Sequence, residues 1–175
     1  LARIRNEIHS KLYHLYDDDE VKASLNFKGA DPAMGLPSLV RNAFVLLNAD
    51  WVANSQNWIN GGQKVLPAMI TICNNTETAA RVKYEFDKKA LHGTIAEMAN
   101  LPLYEPDRIL QIDSKMLDDA ESQREAIQLS SDDNLTKDQL AERLRLMVDT
   151  VGRIGQPGER VCNVIGVSML SEGWD

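Results

Sequence analysis

Two stretches of the sequence place polar, chemistry-bearing side chains directly behind apolar runs. The first is "ITICNNTETAA", where Asn74, Asn75 and Thr76 follow a β-branched run and precede a helical pattern. A helix start leaves unpaired N–H groups, and with an amide and a hydroxyl beside them they form a seat for an anion such as a phosphate. The same residue types also serve as an ordinary helix cap. The second is "VIGVSMLSEGWD", which brings Ser168, Ser171, Gly173 and Asp175 to the end of an apolar run. Hydroxyls there can meet a ligand, and Gly173 allows close backbone approach. The Asp175 carboxylate can accept from a sugar hydroxyl or meet a cation. A surface turn with Trp174 tucked against the core accounts for the same residues. The residue types alone favour the plain cap at the first stretch and leave both readings open at the second.

Other constellations carry less. Pro106-Asp107 followed by Asp113-Ser114-Lys115 resembles the acid pair and lysine of Mg²⁺-dependent nucleases. Here the two acids bracket a single strand, which sets them about 20 Å apart, too far to share an ion. Asp17-Asp18-Asp19-Glu20 has no glycine-containing calcium loop around it and reads as a solvated helix end. His9, His14 and His92 are scattered, and Cys73 and Cys162 lie in apolar runs as buried, reduced thiols. No phosphate-binding lysine loop, nucleophile elbow or dinucleotide glycine fingerprint is present.

The elements that hold these residues follow from periodicity. Ile4, Ile8, Leu12 and Leu15 fall at helical spacing. The run from Ser38 to Asn60 predicts a long helix, capped by Ser38, with Val40, Ala43, Phe44, Leu47, Trp51 and Trp58 as its apolar stripe and Gly61-Gly62 closing it. "VLPAMITIC", "RILQID" and "RVCNVIGVSML" read as strands. Between the first two lies a helix with Ala79, Val82, Phe86 and Ala90 inward, capped by Asn74 with Glu77 and ended by His92-Gly93. Before the third lies a helix opened by Thr136, with Leu140, Leu144, Met147, Val148 and Val151 inward. Strand, helix, strand, helix, strand predicts an α/β fold with a parallel sheet. The third strand is wholly apolar and belongs in the middle of a sheet, yet few partners are visible for it, so the sheet looks incomplete.

The chain has 19 Lys and Arg against 26 Asp and Glu, a formal net charge of -7. That excludes a stand-alone electrostatic clamp on nucleic acid. No run has the length of a membrane span, and no secretory leader opens the chain, so a cytoplasmic location without a membrane partner is expected.

With the strands in place, "PAMITICNNTETAARVKYEF" resembles the motif IV strand and helix of superfamily-two helicases, and "VIGVSMLSEGWD" resembles their motif V. The wording "SMLSEGWD" is most similar to the helicase subunit of type III restriction enzymes. The resemblance covers about residues 64–175. It implies a partial second RecA-like domain over 63–175, ending at motif V, with 1–62 as a helical segment joining two motor domains. It implies DNA-backbone contacts from Asn75, Thr76 and Ser168, and nucleotide contacts from Gly173 and Asp175. Glu172 stands where many helicases carry arginine, which removes a phosphate contact from that side chain. The implied parent is the ATP- and Mg²⁺-dependent translocase of a bacterial restriction endonuclease. Its partners would be DNA and a methyltransferase subunit, and the segment alone would be inactive. The alternative is a non-enzymatic α/β protein-interaction module.

Overall fold

The computed structural model describes residues 18–93, 96–112 and 137–167. Its helices are α1 (Asp19–Leu25), α2 (Ser38–Asn60), α3 (Thr76–Asp87) and α4 (Lys137–Asp149), and its strands are β1 (Met69–Cys73), β2 (Ile109–Ile112) and β3 (Asn163–Val167). The strands form one parallel sheet in the order β1-β3-β2. The apolar runs therefore become the strands that their β-branched content predicts. β3 takes the central place that a strand without a polar face requires, with Asn163 through Gly166 buried.

Register divides the core in two. Thr71 and Cys73 lie beside Ile165 and Val167, on the face shared with Ile109. Phe44 and Trp51 of α2 and Ala79, Val82 and Phe86 of α3 pack into the core on that face. On the other face Leu110 and Val164 meet Leu144 and Met147 of α4. α3 leads from β1 past β3 to β2, and α4 leads back to β3. Travel in opposite directions with one hand of crossover puts these helices on opposite faces. The apolar side chains of β1 on the α4 side, Ile70 and Ile72, are 44% and 54% exposed.

Residues 18–62 share this core rather than standing apart from it. Trp51 donates from its indole nitrogen to the Pro67 carbonyl at 2.9 Å, just before β1. Buried Asn48 donates to the Leu91 carbonyl at 2.8 Å and to the Tyr104 hydroxyl at 2.7 Å. Phe86 meets Phe44 edge to face and Tyr104 at a tilt, with ring centroids 5.6 and 5.2 Å apart.

Several local expectations shift. α2 is preceded by Pro37, which offers no side-chain cap, in place of capping by Ser38. Trp58 is 46% exposed because the last turns of α2 overhang the core. Gly61 and Gly62 close the helix as expected, bonding to the Asn57 and Ile59 carbonyls at 2.9 Å each. α3 ends at Asp87, five residues before His92, so Ala90 lies beyond it. The acidic run starts a helix instead of ending one: Asp18 caps α1 by accepting from the Val21 N–H at 3.0 Å. Asp19 and Glu20 then face the positive end of its dipole. After α4, Gly158 packs so closely that a Cβ would lie 2.7 Å from the Thr150 carbonyl carbon, which makes glycine obligatory in that turn.

The helix expected over residues 2–16, the capping Thr136 and the Asp113 of the nuclease-like pattern lie outside the described residues. Asp107 is engaged in an ion pair with Arg160 at 2.9 Å.

Candidate functional site

β1 and β3 end in register, Cys73 against Val167, so the two strands reach the same rim of the sheet. In open parallel sheets the carboxyl ends of the strands are where ligands bind. The described part of this rim is the turn from Cys73 into α3.

Asn75 caps α3: its Oδ1 accepts from the Thr78 N–H at 2.7 Å. The cap thus falls one residue later than Asn74, because Asn75 is the residue that holds the extended conformation before the helix. The amide of Asn75 also works outward, donating from Nδ2 to the Leu25 carbonyl at 2.9 Å. Thr78 donates its hydroxyl to the same carbonyl at 2.8 Å, and Asn74 reaches it at 3.4 Å and Asn26 Oδ1 at 2.7 Å. Thr76 donates its hydroxyl to Glu77 Oε2 at 3.2 Å.

These contacts bring residues 18–37, hereafter the strap, onto the start of α3. Two charged residues further along α3 complete the grip. Arg81, 2% exposed, donates to the Ser24 carbonyl at 2.7 Å, to Ser24 Oγ at 3.1 Å, and to the Gly35 carbonyl through both Nε and Nη2. Glu85, 4% exposed, accepts from the Leu36 N–H at 3.0 Å and pairs with Arg41 at 3.4 Å. Burial pulls the Arg81 guanidinium below its ordinary value, and the charge of Glu85 opposes that shift. Gly35 sits at φ +67°, and a Cβ there would come 2.8 Å from Glu85 Oε1. The turn that reaches Glu85 therefore needs glycine.

Under the strap lies a cavity of about 360 Å³, bounded by Leu25, Leu36, Val40, Phe44, Cys73 and Val82 among others. Burial pushes the Cys73 thiol up to about 12, so it is a neutral, inert lining group. Cys162, the residue directly before β3, is likewise pushed up to about 12 by burial.

Of the site residues read from the sequence, Asn75 and Thr76 stand together at this rim. Ser168, Gly173 and Asp175 lie outside the described residues. Thr78, Arg81 and Glu85 are what local reading missed. Arg81 and Glu85 fall one helical turn apart, a spacing that ordinarily marks a solvated pair. Among the described residues no group of three or more His, Cys, Asp or Glu is placed to hold a metal ion. No described helix is long and apolar enough to cross a membrane.

No family model, curated protein or solved structure matches the chain. The class that the described residues define is an α/β fold with a three-stranded parallel sheet flanked by helices.

Proposed function

We propose that the chain is part of the second RecA-like domain of a superfamily-two DNA translocase, of the kind found in bacterial restriction endonucleases. The observation that supports this reading is the parallel order β1-β3-β2, with β3 central and β1 ending beside it. It lets "NNT" and "SMLSEGWD" leave neighbouring strands at one rim. In this reading Asn75, Thr76 and Ser168 meet the phosphate backbone of DNA. Gly173 and Asp175 face ATP, and Mg²⁺ accompanies the nucleotide. ATP with Mg²⁺ supplies the energy of translocation, and the described residues contribute positioning alone. The net charge of -7 fits a segment that makes a few oriented contacts within a larger basic surface.

The test is DNA-stimulated ATP hydrolysis by the product of the full reading frame. Asp175→Ala is expected to lower the stimulated rate by about 100-fold, as losing a group that positions the bound nucleotide through a sugar hydroxyl or a cation does. A rate unchanged by Asp175→Ala removes the nucleotide role. A reading frame without a phosphate-binding lysine loop removes the motor reading altogether.

One observation favours a second reading, the non-enzymatic interaction module. Ile70 and Ile72 leave an apolar strip on an outer strand, as a surface that meets another protein does. That reading expects no DNA-stimulated hydrolysis.

A further inference from the structure

We infer that the open edge of β1 pairs with β1 of a second copy of this chain, antiparallel and centred on Thr71. The inference rests on the sheet and depends on neither reading of function above. β1 is an outer strand, with β3 on one side of it. The Met69 N–H donates to the Cys162 carbonyl at 2.8 Å, so Met69, Thr71 and Cys73 turn their backbone groups toward β3. Ile70 and Ile72 therefore turn theirs to the open side, where no described strand lies. Natural sheets guard such an edge with charged side chains, proline or a bulge. β1 has none of these. No Asp, Glu, Lys or Arg occurs from Val65 to Thr76, and Pro67 lies before the strand. The register with β3 runs unbroken from Met69 to Cys73. Ile70 and Ile72 are meanwhile 44% and 54% exposed. An unguarded, uncharged, apolar edge is one that another strand covers.

What selects a second copy is the symmetry of the strand itself. Met-Ile-Thr-Ile-Cys places an isoleucine on each side of Thr71. A two-fold axis at Thr71 sets Ile70 opposite Ile72 of the second copy, and Ile72 opposite its Ile70. Both residues face the edge, and each donates one backbone bond and accepts one, so the two pairs close four bonds. A slip of one residue sets Ile70 against Thr71, whose backbone groups β3 already uses. On the α4 side of the sheet the isoleucines of both copies then form one strip of β-branched cross-strand pairs. On the other face Thr71 meets its own counterpart. The net charge of -7 opposes self-association at a distance, but none of that charge lies on this stretch. The pairing joins two three-stranded sheets into one.

The test is sedimentation equilibrium of the full chain from about 1 to 300 µM. The interface is small, so a dimer with a Kd of about 10 to 100 µM is expected. Ile72→Pro removes one outward N–H and leaves every bond to β3, as proline on a sheet edge does, and is expected to raise Kd at least about tenfold. Ile72→Lys, which puts a charge on the edge, is expected to do the same and replaces the proline variant if that one does not fold. Register is read by disulfide trapping in a Cys73→Ala background. Thr71→Cys sets two thiols directly opposite one another and is expected to give a covalent dimer on oxidation. Met69→Cys sets them about 14 Å apart along the strands and is expected to give none. Circular dichroism verifies that each variant is folded. A monomer throughout the range, a dimer that both edge variants leave intact, or cross-linking of Met69→Cys as fast as of Thr71→Cys overturns the inference. So does slow hydrogen exchange of the Ile70 N–H in a monomeric edge variant, which shows that another segment of the same chain holds the edge.

Discussion

At the scale of single residues, Asn75 performs two tasks with the two ends of one amide. Its oxygen caps α3 and its nitrogen ties the strap through Leu25. Thr76, next in the chain, only bridges to its neighbour Glu77. Stability should divide accordingly. Asn75→Ala loses the cap, worth about 1 kcal/mol, and one donor to a carbonyl that keeps two others. A total loss of about 2 kcal/mol is expected from urea unfolding. Asn75→Asp keeps a capping oxygen and adds a favourable charge at the helix start, yet it loses the tie and turns that charge toward the Leu25 carbonyl. An intermediate loss is expected. If Asn75→Asp proves as unstable as Asn75→Ala, the tie rather than the cap carries the residue's contribution.

At the scale of elements, α3 organises the described molecule. One side packs Ala79, Val82 and Phe86 into the core, while Arg81 and Glu85 hold the strap. Arg81 is suited to its task by shape: a planar fork reaches Ser24 and Gly35 at once, which a lysine ammonium cannot imitate. Arg81→Met leaves two carbonyls without their donor and removes one of the positive charges near buried Glu85, a loss of about 3 kcal/mol. Arg81→Lys is expected to recover less than half of that in the same urea experiment, and full recovery would mean that charge alone matters. These elements were not equally legible. The three strands announce themselves, because β-branched apolar runs have few alternatives, and an all-apolar β3 belongs at the centre. The inward stripe of Ala79, Val82 and Phe86 is equally plain. The strap leaves no local trace, since its contacts with Arg81 join residues 46 and 57 positions apart. Locally, Arg81 and Glu85 look like solvent-facing charges, and Trp58 looks like core until the overhang of α2 is known. Of the candidate site, the sequence located the rim and the residues Asn75 and Thr76, but a periodicity argument has no means of seeing what those residues touch.

At the scale of the whole molecule, the described core keeps its ionisable groups neutral where the sheet is deepest. Cys73 and Cys162 are 6% and 1% exposed, and burial pushes each thiol from 9.0 up to about 12. Burial also raises the Tyr104 phenol, which accepts from Asn48 between α2 and the sheet. These shifts set a direction for stability against pH. Below about pH 9 both folded and unfolded chains hold their thiol protons, so the contribution of burying neutral groups is whole. Above that the unfolded chain loses protons first, and stability falls until the folded thiols ionise near 12. Tyr104 adds to the same decline from its own unfolded value of 10.0 upward. Urea midpoints measured at pH 8, 9.5 and 11 are therefore expected to fall at each step. The paired variant Cys73→Ala and Cys162→Ala removes two of the three groups, so it should show a shallower fall, whatever stability it loses at pH 8. An equally steep fall in that variant would assign the alkaline weakness to groups outside the two thiols. A midpoint that rises with pH would contradict the burial of neutral thiols at Cys73 and Cys162.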